Sequence, residues 1–246
     1  KYPFGKFPLP SEAPWYEPLS LLTMIASNTK NIKLATAVLI APLRNPALLA
    51  KTAATLDSIS KGRLELGVGL GWQKEEYDTA GLSFENRAEV FWETLDICKL
   101  LWEDSPISFN GKYFNFDDIW CHPQPPQGKD LPLLFGLKMT PENASKIARV
   151  GHGWIPIKTS RDFISEGKQI LSEAFINAGR NDQPRIRGQL PTCVDEDGLP
   201  NIQLTLNEIE KSMAAGLDEV EVFPINFVQG PEDIYKVLKL ISEVKK

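Results

Sequence analysis

The chain alternates regularly between apolar strand-like runs and amphipathic helical stretches, and this pattern constrains the fold most. The apolar runs predict six strands at 32–40, 64–69, 131–136, 154–157, 186–194 and 220–225. Helices are predicted at 17–27, 45–60, 84–103, 141–150, 160–179, 205–215 and 231–245. Repeated βα units imply an α/β fold with parallel strands and helical crossovers. An open doubly wound sheet and a (β/α)8 barrel both fit this pattern.

The predicted helix at 84–103 shows the clearest periodicity. Its apolar residues follow steps of three and four, which predicts one buried stripe on the helix. The stripe consists of Phe84, Ala88, Phe91, Leu95, Cys98 and Trp102. We interpret its aromatic residues as core rather than as a cofactor site.

Local signals at two places predict a hairpin and a capped helix. Asn110-Gly111 lies between β-rich arms, so residues 106–116 predict a small hairpin insertion with a type I′ turn. Thr140 followed by Pro141 predicts the start of a helix, and Gly151 predicts its end.

Composition limits the class of partner. The net charge is -5 and no long Lys/Arg block is present, so we expect neither nucleic acid nor a membrane as a partner but a small-molecule substrate. The three cysteines are far apart in the sequence, which indicates reduced thiols in a cytoplasmic protein. With only two histidines and no close His/Cys grouping, we expect no metal site.

The stretch LELGVGLGW at 64–72 places glycines at every second position from 67 to 71. A Rossmann fingerprint would need G-x-G-x-x-G running into a helix, so an NAD dehydrogenase of that type is disfavoured. Alternate glycines instead indicate a strand whose backbone another group approaches closely. Relief of crowding inside the core is the alternative explanation.

Four stretches together, at 13–22, 32–77, 109–118 and 133–156, resemble the luciferase-like monooxygenase superfamily, in particular its F420-dependent oxidoreductase branch. The resemblance implies a TIM (β/α)8-type barrel, here with about six βα units, formed as a single domain over 1–246. It also implies a flavin or deazaflavin bound at the carboxyl ends of the strands. By this analogy barrel strands one and two are absent, so we expect about 50 to 60 further residues before Lys1 in the natural protein. Without them we expect a homodimer or aggregate that covers the open strand edges.

The resemblance also assigns residues to the coenzyme ring. Gly69 and Gly71 would leave room for the flat ring and Trp72 would form a wall of the pocket. The register of a non-prolyl cis peptide behind the ring falls on Ala37-Val38. Arg44 would meet the acidic tail of the coenzyme.

A second segment is assigned to the coenzyme phosphate. A glycine-containing turn that leads into a capped helix exposes N–H groups at the positive end of the helix dipole. The segment consists of Gly136, Leu137, Lys138, Met139 and Thr140. Many flavin-binding barrels carry a Gly-Gly pair here, whereas this chain has Gly-Leu.

Catalytic residues are less well defined. Relatives that act with F420 use a histidine after barrel strand two, which this chain lacks, and a glutamate after strand four, where Trp72 stands here. Glu75 and Glu76 follow closely and are the candidates. Their alternative role is to place negative charge at the start of a helix.

Three functions remain open at this point. The first is hydride transfer between coenzyme F420 and a small organic substrate, with the coenzyme supplying the chemistry. The second is an FMN-dependent monooxygenase that uses a separate reductase and O2. The third is a non-catalytic flavin-binding barrel.

Overall fold

The computed structural model describes residues 14–228 and 230–244. Contacts divide the chain after Gly136 into two compact units. The first unit comprises residues 14–136 and the second comprises residues 137–244 without 229. Residue 245, where the last predicted helix was expected to end, lies outside the described part.

The first unit contains a parallel sheet built around one central strand. Its helices are α1 (Pro18–Asn28), α2 (Pro46–Ser60), α3 (Lys74–Thr79) and α4 (Arg87–Glu103). Its strands are β1 (Leu34–Ala35), β2 (Leu39–Ile40), β3 (Leu64–Gly69), β4 (Ile107–Asn110), β5 (Asn115–Ile119) and β6 (Leu133–Phe135). Strand β3 pairs in parallel with β1 and β2 on one side and with β6 on the other. Because every residue of β3 is buried, this strand forms the middle of the core.

The second unit repeats the same construction. Its elements are α5 (Pro141–Val150), β7 (Gly153–Trp154), α6 (Arg161–Asn177), β8 (Arg185–Gln189), α7 (Ile202–Leu206), α8 (Ile209–Ala214), β9 (Glu219–Glu221) and α9 (Ile234–Ser242). Strand β8 pairs in parallel with both β7 and β9. The predicted α/β class with six βα units is therefore confirmed in the described part of the chain, where β1 and β2 are the two halves of one predicted strand.

Several predicted boundaries were wrong. The strand expected at 32–40 is interrupted at residues 36–38, and the strand expected at 186–194 ends at Gln189, shortly before a proline that has no N–H for a ladder. The segment expected to form one helix at 205–215 forms two short helices, α7 and α8. The first of them begins earlier than expected, because the Asn201 side chain accepts a hydrogen bond from the Leu204 N–H. Local propensity does not contain these tertiary and capping contributions.

The predicted stripe of α4 is confirmed only in part. Phe91, Leu95, Cys98 and Trp102 are fully buried or nearly so, and the Trp102 indole donates to the Ala50 carbonyl of α2 at 3.0 Å. Two further stripe positions behave differently. Phe84 precedes the helix and Ala88 is exposed, so the stripe begins a turn later than the periodicity indicates.

The predicted hairpin is confirmed as a separate antiparallel sheet of β4 and β5. Its type I′ turn is wrong, because Asn110 pairs with Asn115 and neither Asn110 nor Gly111 has a positive φ. The Glu93 carboxylate of α4 accepts hydrogen bonds from the N–H groups of residues 112, 113 and 114. This tertiary contact, rather than the Asn-Gly pair, determines the loop.

Within the described residues no helix is long and apolar enough to cross a membrane. All three cysteines are free thiols, and Cys98 and Cys121 are buried. Burial raises the pKa of both buried thiols, which keeps them protonated and unreactive.

Candidate active site

The glycines at the carboxyl end of β3 lie against the side chain of Val38. A Cβ added to Gly69 would stand 2.7 Å from Val38 Cγ2, and one added to Gly136 would stand 2.7 Å from Val38 Cγ1. Both distances are shorter than any real carbon contact, so the two glycines are required for Val38 to lie there. The group that approaches these glycines in the structure is therefore the Val38 side chain.

The peptide bond between Ala37 and Val38 is cis, as predicted. It lies in the interruption between β1 and β2. The segment is tied to β3 by the Thr36 hydroxyl, which donates to the Gly67 carbonyl at 2.8 Å. Ala37 is exposed and the Val38 side chain is 37% exposed. The outer surface of this pair is thus available to a ligand.

The loop after β3 is shaped by glycine and a buried tyrosine. Gly71 has φ of 69°, and a Cβ there would lie 2.9 Å from Ile40 Cγ2, so both backbone and space require glycine. The Tyr77 hydroxyl donates to the Leu70 carbonyl at 2.5 Å. Burial raises the pKa of Tyr77 to about 12, so the hydroxyl keeps its proton and remains a donor. Trp72 follows in this loop and is 38% exposed.

Arg44 is already engaged in an ion pair. Its guanidinium lies 2.9 Å from the Glu17 carboxylate, which also accepts from the Leu19 and Ser20 N–H groups at the start of α1. Burial alone would raise the pKa of Glu17, but the hydrogen bonds from Ser20 and Leu19 and the charge of Arg44 lower it. The next residue, Asn45, caps α2 through a hydrogen bond from the Leu48 N–H. An acidic ligand tail would have to share Arg44 with Glu17.

The two catalytic candidates suggested by the sequence are exposed. Glu75 and Glu76 lie in the first turn of α3. Carboxylates at this position stabilise a helix through its dipole. Their position accords with the alternative role, and their participation in catalysis stays a prediction.

The segment that leads into α5 is ordered by its own hydrogen bonds. Thr140 caps the helix by accepting from the Asn143 N–H, as predicted, and Asn143 Nδ2 donates to the Lys138 carbonyl at 2.9 Å. The Leu137 and Met139 side chains are buried, whereas Lys138 is exposed. Because the side chains of Leu137 and Met139 point into the core, Lys138 is the residue of this segment whose side chain can reach an anion.

The first turn of α5 also carries a carboxylate. Glu142 pairs with Lys146 one turn later at 2.7 Å, and the hydrogen bond and charge of Lys146 lower the pKa of Glu142. Since Pro141 has no N–H and Thr140 accepts from the Asn143 N–H, the Glu142 N–H is the remaining donor of the first turn. An anion bound at the start of this helix would therefore depend strongly on Lys138.

Sequence reasoning missed a charged cluster on β8 and β9. Arg187 is only 6% exposed, and its Nε donates to Glu219 Oε2 at 2.6 Å. Arg185 Nε donates to the other oxygen, Glu219 Oε1, at 2.9 Å. Glu221 lies two residues further along β9. The alternating charges of RIR and EVE could have indicated this face, but only the strand register brings them together.

Burial raises the pKa of the Glu221 carboxyl; Arg187 opposes this shift and the negative charge of Glu219 adds to it. Glu221 is the last residue of β9 and pairs with Gln189, the last residue of β8. Both residues therefore stand at the carboxyl ends of parallel strands, where α/β proteins bind their ligands.

Comparison with known proteins identifies a family. A model of the luciferase-like monooxygenase family matches residues 4–198. An uncharacterized protein of Mycobacterium tuberculosis is 35% identical over 171 residues, which cover 69% of this chain and 60% of that protein. The F420-dependent glucose-6-phosphate dehydrogenase of Kineococcus radiotolerans is 29% identical over 181 residues, which cover 71% of this chain and 51% of that enzyme. The chain thus spans less than two thirds of the length of these curated relatives.

A solved structure confirms the fold class. It is the oxygenating constituent of 3,6-diketocamphane monooxygenase from the CAM plasmid of Pseudomonas putida, a type II Baeyer-Villiger monooxygenase in complex with FMN. The similarity has a TM-score of 0.73 at 19% sequence identity and covers 92% of this chain and 82% of that one.

Proposed function

We propose a flavin- or deazaflavin-dependent oxidoreductase function for this chain, which belongs to the luciferase-like monooxygenase family. The reaction we favour is hydride transfer between coenzyme F420 and a small organic substrate. A relative whose name states F420 dependence supports this choice over FMN, because its similarity extends over 71% of the chain. When bound, the coenzyme supplies the redox chemistry, and the chain's residues bind and orient it.

The observation that carries the proposal is the surface formed by Ala37 and Val38. It is partly exposed, apolar and backed by the backbone of Gly69 and Gly136, with no room for side chains between them. A flat aromatic ring can lie against such a surface with little loss of solvation of polar groups. The residues present therefore fit a tricyclic ring.

Lys138 would hold the phosphate that both F420 and FMN carry. Lys138 is exposed and lies two residues before Thr140, the N-cap of α5, where the helix dipole adds positive potential. Arg44 would share its charge between Glu17 and an acidic tail, a feature of F420 that FMN lacks.

The test is a titration of the purified chain with F420 and with FMN, followed by fluorescence. We expect F420 to bind and Val38→Asp to weaken binding more than tenfold, because a charge would be buried against the ring. The control is Val194→Asp at an exposed loop position of the second unit, which should bind like the unmodified chain. Binding of neither coenzyme would contradict the proposed function.

FMN-dependent oxygenation with a separate reductase is the second candidate. We keep it because a solved structure of the same fold is in complex with FMN. Tight binding of FMN without binding of F420 would place this candidate first. A non-catalytic flavin-binding role would be left only if the bound coenzyme is never reduced or oxidised by any substrate.

Two properties of the whole protein remain predictions. The buried free thiols Cys98 and Cys121 fit a reducing compartment, and we therefore propose a cytoplasmic location. A homodimer is also expected. Sedimentation as a monomer in analytical ultracentrifugation at micromolar concentration would contradict it.

A further inference from the structure

Arg87, in the first unit, is bound differently from other arginines of the chain. A carboxylate pairs with each of Arg44, Arg161, Arg180, Arg185 and Arg187. The Arg63 guanidinium donates to backbone carbonyls and to the Thr29 hydroxyl. Arg87 Nη1 donates to the Phe84 carbonyl at 2.6 Å, and Arg87 Nε is buried without a hydrogen bond. Among the described residues no carboxylate compensates the charge of Arg87.

The Arg87 guanidinium is held in place by an aromatic ring. Its Cζ lies 3.7 Å from the centroid of the Phe84 ring, and the Phe84 ring meets the Tyr77 ring edge to face at 5.4 Å. Tyr77 is in turn fixed by its hydrogen bond to the carbonyl of Leu70, the first residue after β3. Because a cation over an aromatic ring is attracted to it, the guanidinium loses little freedom when it binds a ligand.

Arg87 lies on the side of the first unit where β3 and β6 end. It is the first residue of α4, and Phe91 follows one turn later on the same side of the helix. Phe91 is fully buried, and its ring lies 6.0 Å from the ring of Phe135, the last residue of β6. Phe135 pairs with Val68, one residue before the end of β3. Arg87 therefore stands one helical turn beyond these strand ends.

We propose that Arg87 binds the carboxylate of an anionic organic substrate. The proposal rests on the proposed function, because it takes the carboxyl ends of the strands as the active site. Arg87 is partly exposed, and its guanidinium offers N–H donors and one positive charge to the two oxygens and the single charge of a carboxylate. A phosphate monoester carries about 1.5 to 2 negative charges at neutral pH and would need a second cation.

The experiment is a fluorine NMR titration of the chain without coenzyme, with 4-fluorobenzoate as the probe. 4-Fluorobenzamide is the matched control, because it has nearly the same size and no charge. We expect the unmodified chain to bind the carboxylate about tenfold more tightly than the amide, since charge-assisted hydrogen bonds are the stronger ones. Equal affinities for the two probes would overturn the inference, and so would no binding of 4-fluorobenzoate.

Arg87→Gln removes the charge and should abolish this preference, while the affinity for the amide stays within about twofold. Lys129→Gln is the control variant, because it removes an exposed cation of the same unit that pairs with Glu103. It should keep the full preference for the carboxylate. Arg87→Lys keeps the charge without the planar donors and should retain part of the preference. A full preference in Arg87→Gln would overturn the inference.

Titrations with F420 and with FMN separate this inference from the proposed function. Binding of neither coenzyme to the unmodified chain would contradict the proposed function, whereas the preference for 4-fluorobenzoate is measured without coenzyme. A loss of F420 and FMN affinity in Arg87→Gln as large as the loss for 4-fluorobenzoate would assign Arg87 to the coenzyme. That result would overturn the assignment to the substrate.

Discussion

The polar face of β8 and β9 and the glycine-lined end of β3 are built by different physical means. At β3, Gly69 and Gly136 leave space that the Val38 methyl groups fill, so the contact is steric and apolar. On β8 and β9, Arg187 and Glu219 compensate each other's charge in a partly buried place. At β3 an added side-chain atom should lower the stability of the fold. On β8 and β9 the loss of one charged partner should lower it. Substitutions in the two regions should therefore destabilise the protein for different reasons: overpacking at β3 and an unpaired charge on β8 and β9.

The largest effect is expected from Arg187→Met. The substitution leaves Glu219 without its more buried partner, and breaking such a pair should lower the free energy of unfolding by about 2 to 3 kcal/mol. Urea denaturation measures the change. Lys146→Met removes an exposed partner from the Glu142 pair on α5 of the same unit and should produce no measurable change. Equal effects of the two substitutions would show that the buried ion pair contributes no more to stability than the exposed one.

Gly69→Ala tests the steric arrangement. The added Cβ would clash with Val38 Cγ2, and overpacking of this kind costs about 1 to 3 kcal/mol of stability. A double-mutant cycle with Val38→Ala separates this cause from others, because removing the Val38 methyl groups makes room for the new Cβ. We expect the double variant to be more stable than Gly69→Ala alone. If it is not, another contact is responsible for the glycine requirement.

Lys138→Ala should weaken coenzyme binding by about 1 to 2 kcal/mol through a lost charge-assisted phosphate contact. The measurement is a fluorescence titration at low salt. Lys146→Ala, one helix turn beyond the start of α5, is the control and should bind coenzyme normally. Unchanged affinity for Lys138→Ala would move the phosphate site elsewhere.

The smallest effect concerns the pH dependence of stability. The pKa of glutamate in an unfolded chain is about 4.3. Burial raises the pKa of Glu221 in the folded chain. A raised folded pKa contributes stability that is complete below the unfolded pKa and is lost as pH rises through the folded pKa. Glu221→Gln cannot ionise, so it should lose less stability than the unmodified chain as the pH rises from the unfolded pKa of glutamate through the folded pKa of Glu221. A parallel pH dependence of both proteins in urea denaturation would indicate an ordinary exposed glutamate.

The βα alternation and the capping signals were predictable because they depend on short-range periodicity and backbone chemistry. Thr140 caps α5 and Gly151 ends it, as expected. The cis peptide at Ala37-Val38 was predicted through the family resemblance, since ATAV by itself reads as plain strand. The turn signal of Asn110-Gly111, by contrast, gave a wrong prediction, because Glu93 of α4 binds the backbone of this loop. Such a contact leaves no trace in the local sequence.

The sequence by itself determined the class of the fold, the order of its elements and the family, because these depend on patterns that repeat along the chain. Only the tertiary structure decided what the glycines of β3 face and which charges meet on β8 and β9. Val38 reaches Gly69 and Gly136 across neighbouring strands, and Glu219 and Glu221 reach their partners through the register of a parallel pair. Register couples residues more than thirty positions apart, and a shift of one residue would turn every side chain to the opposite face.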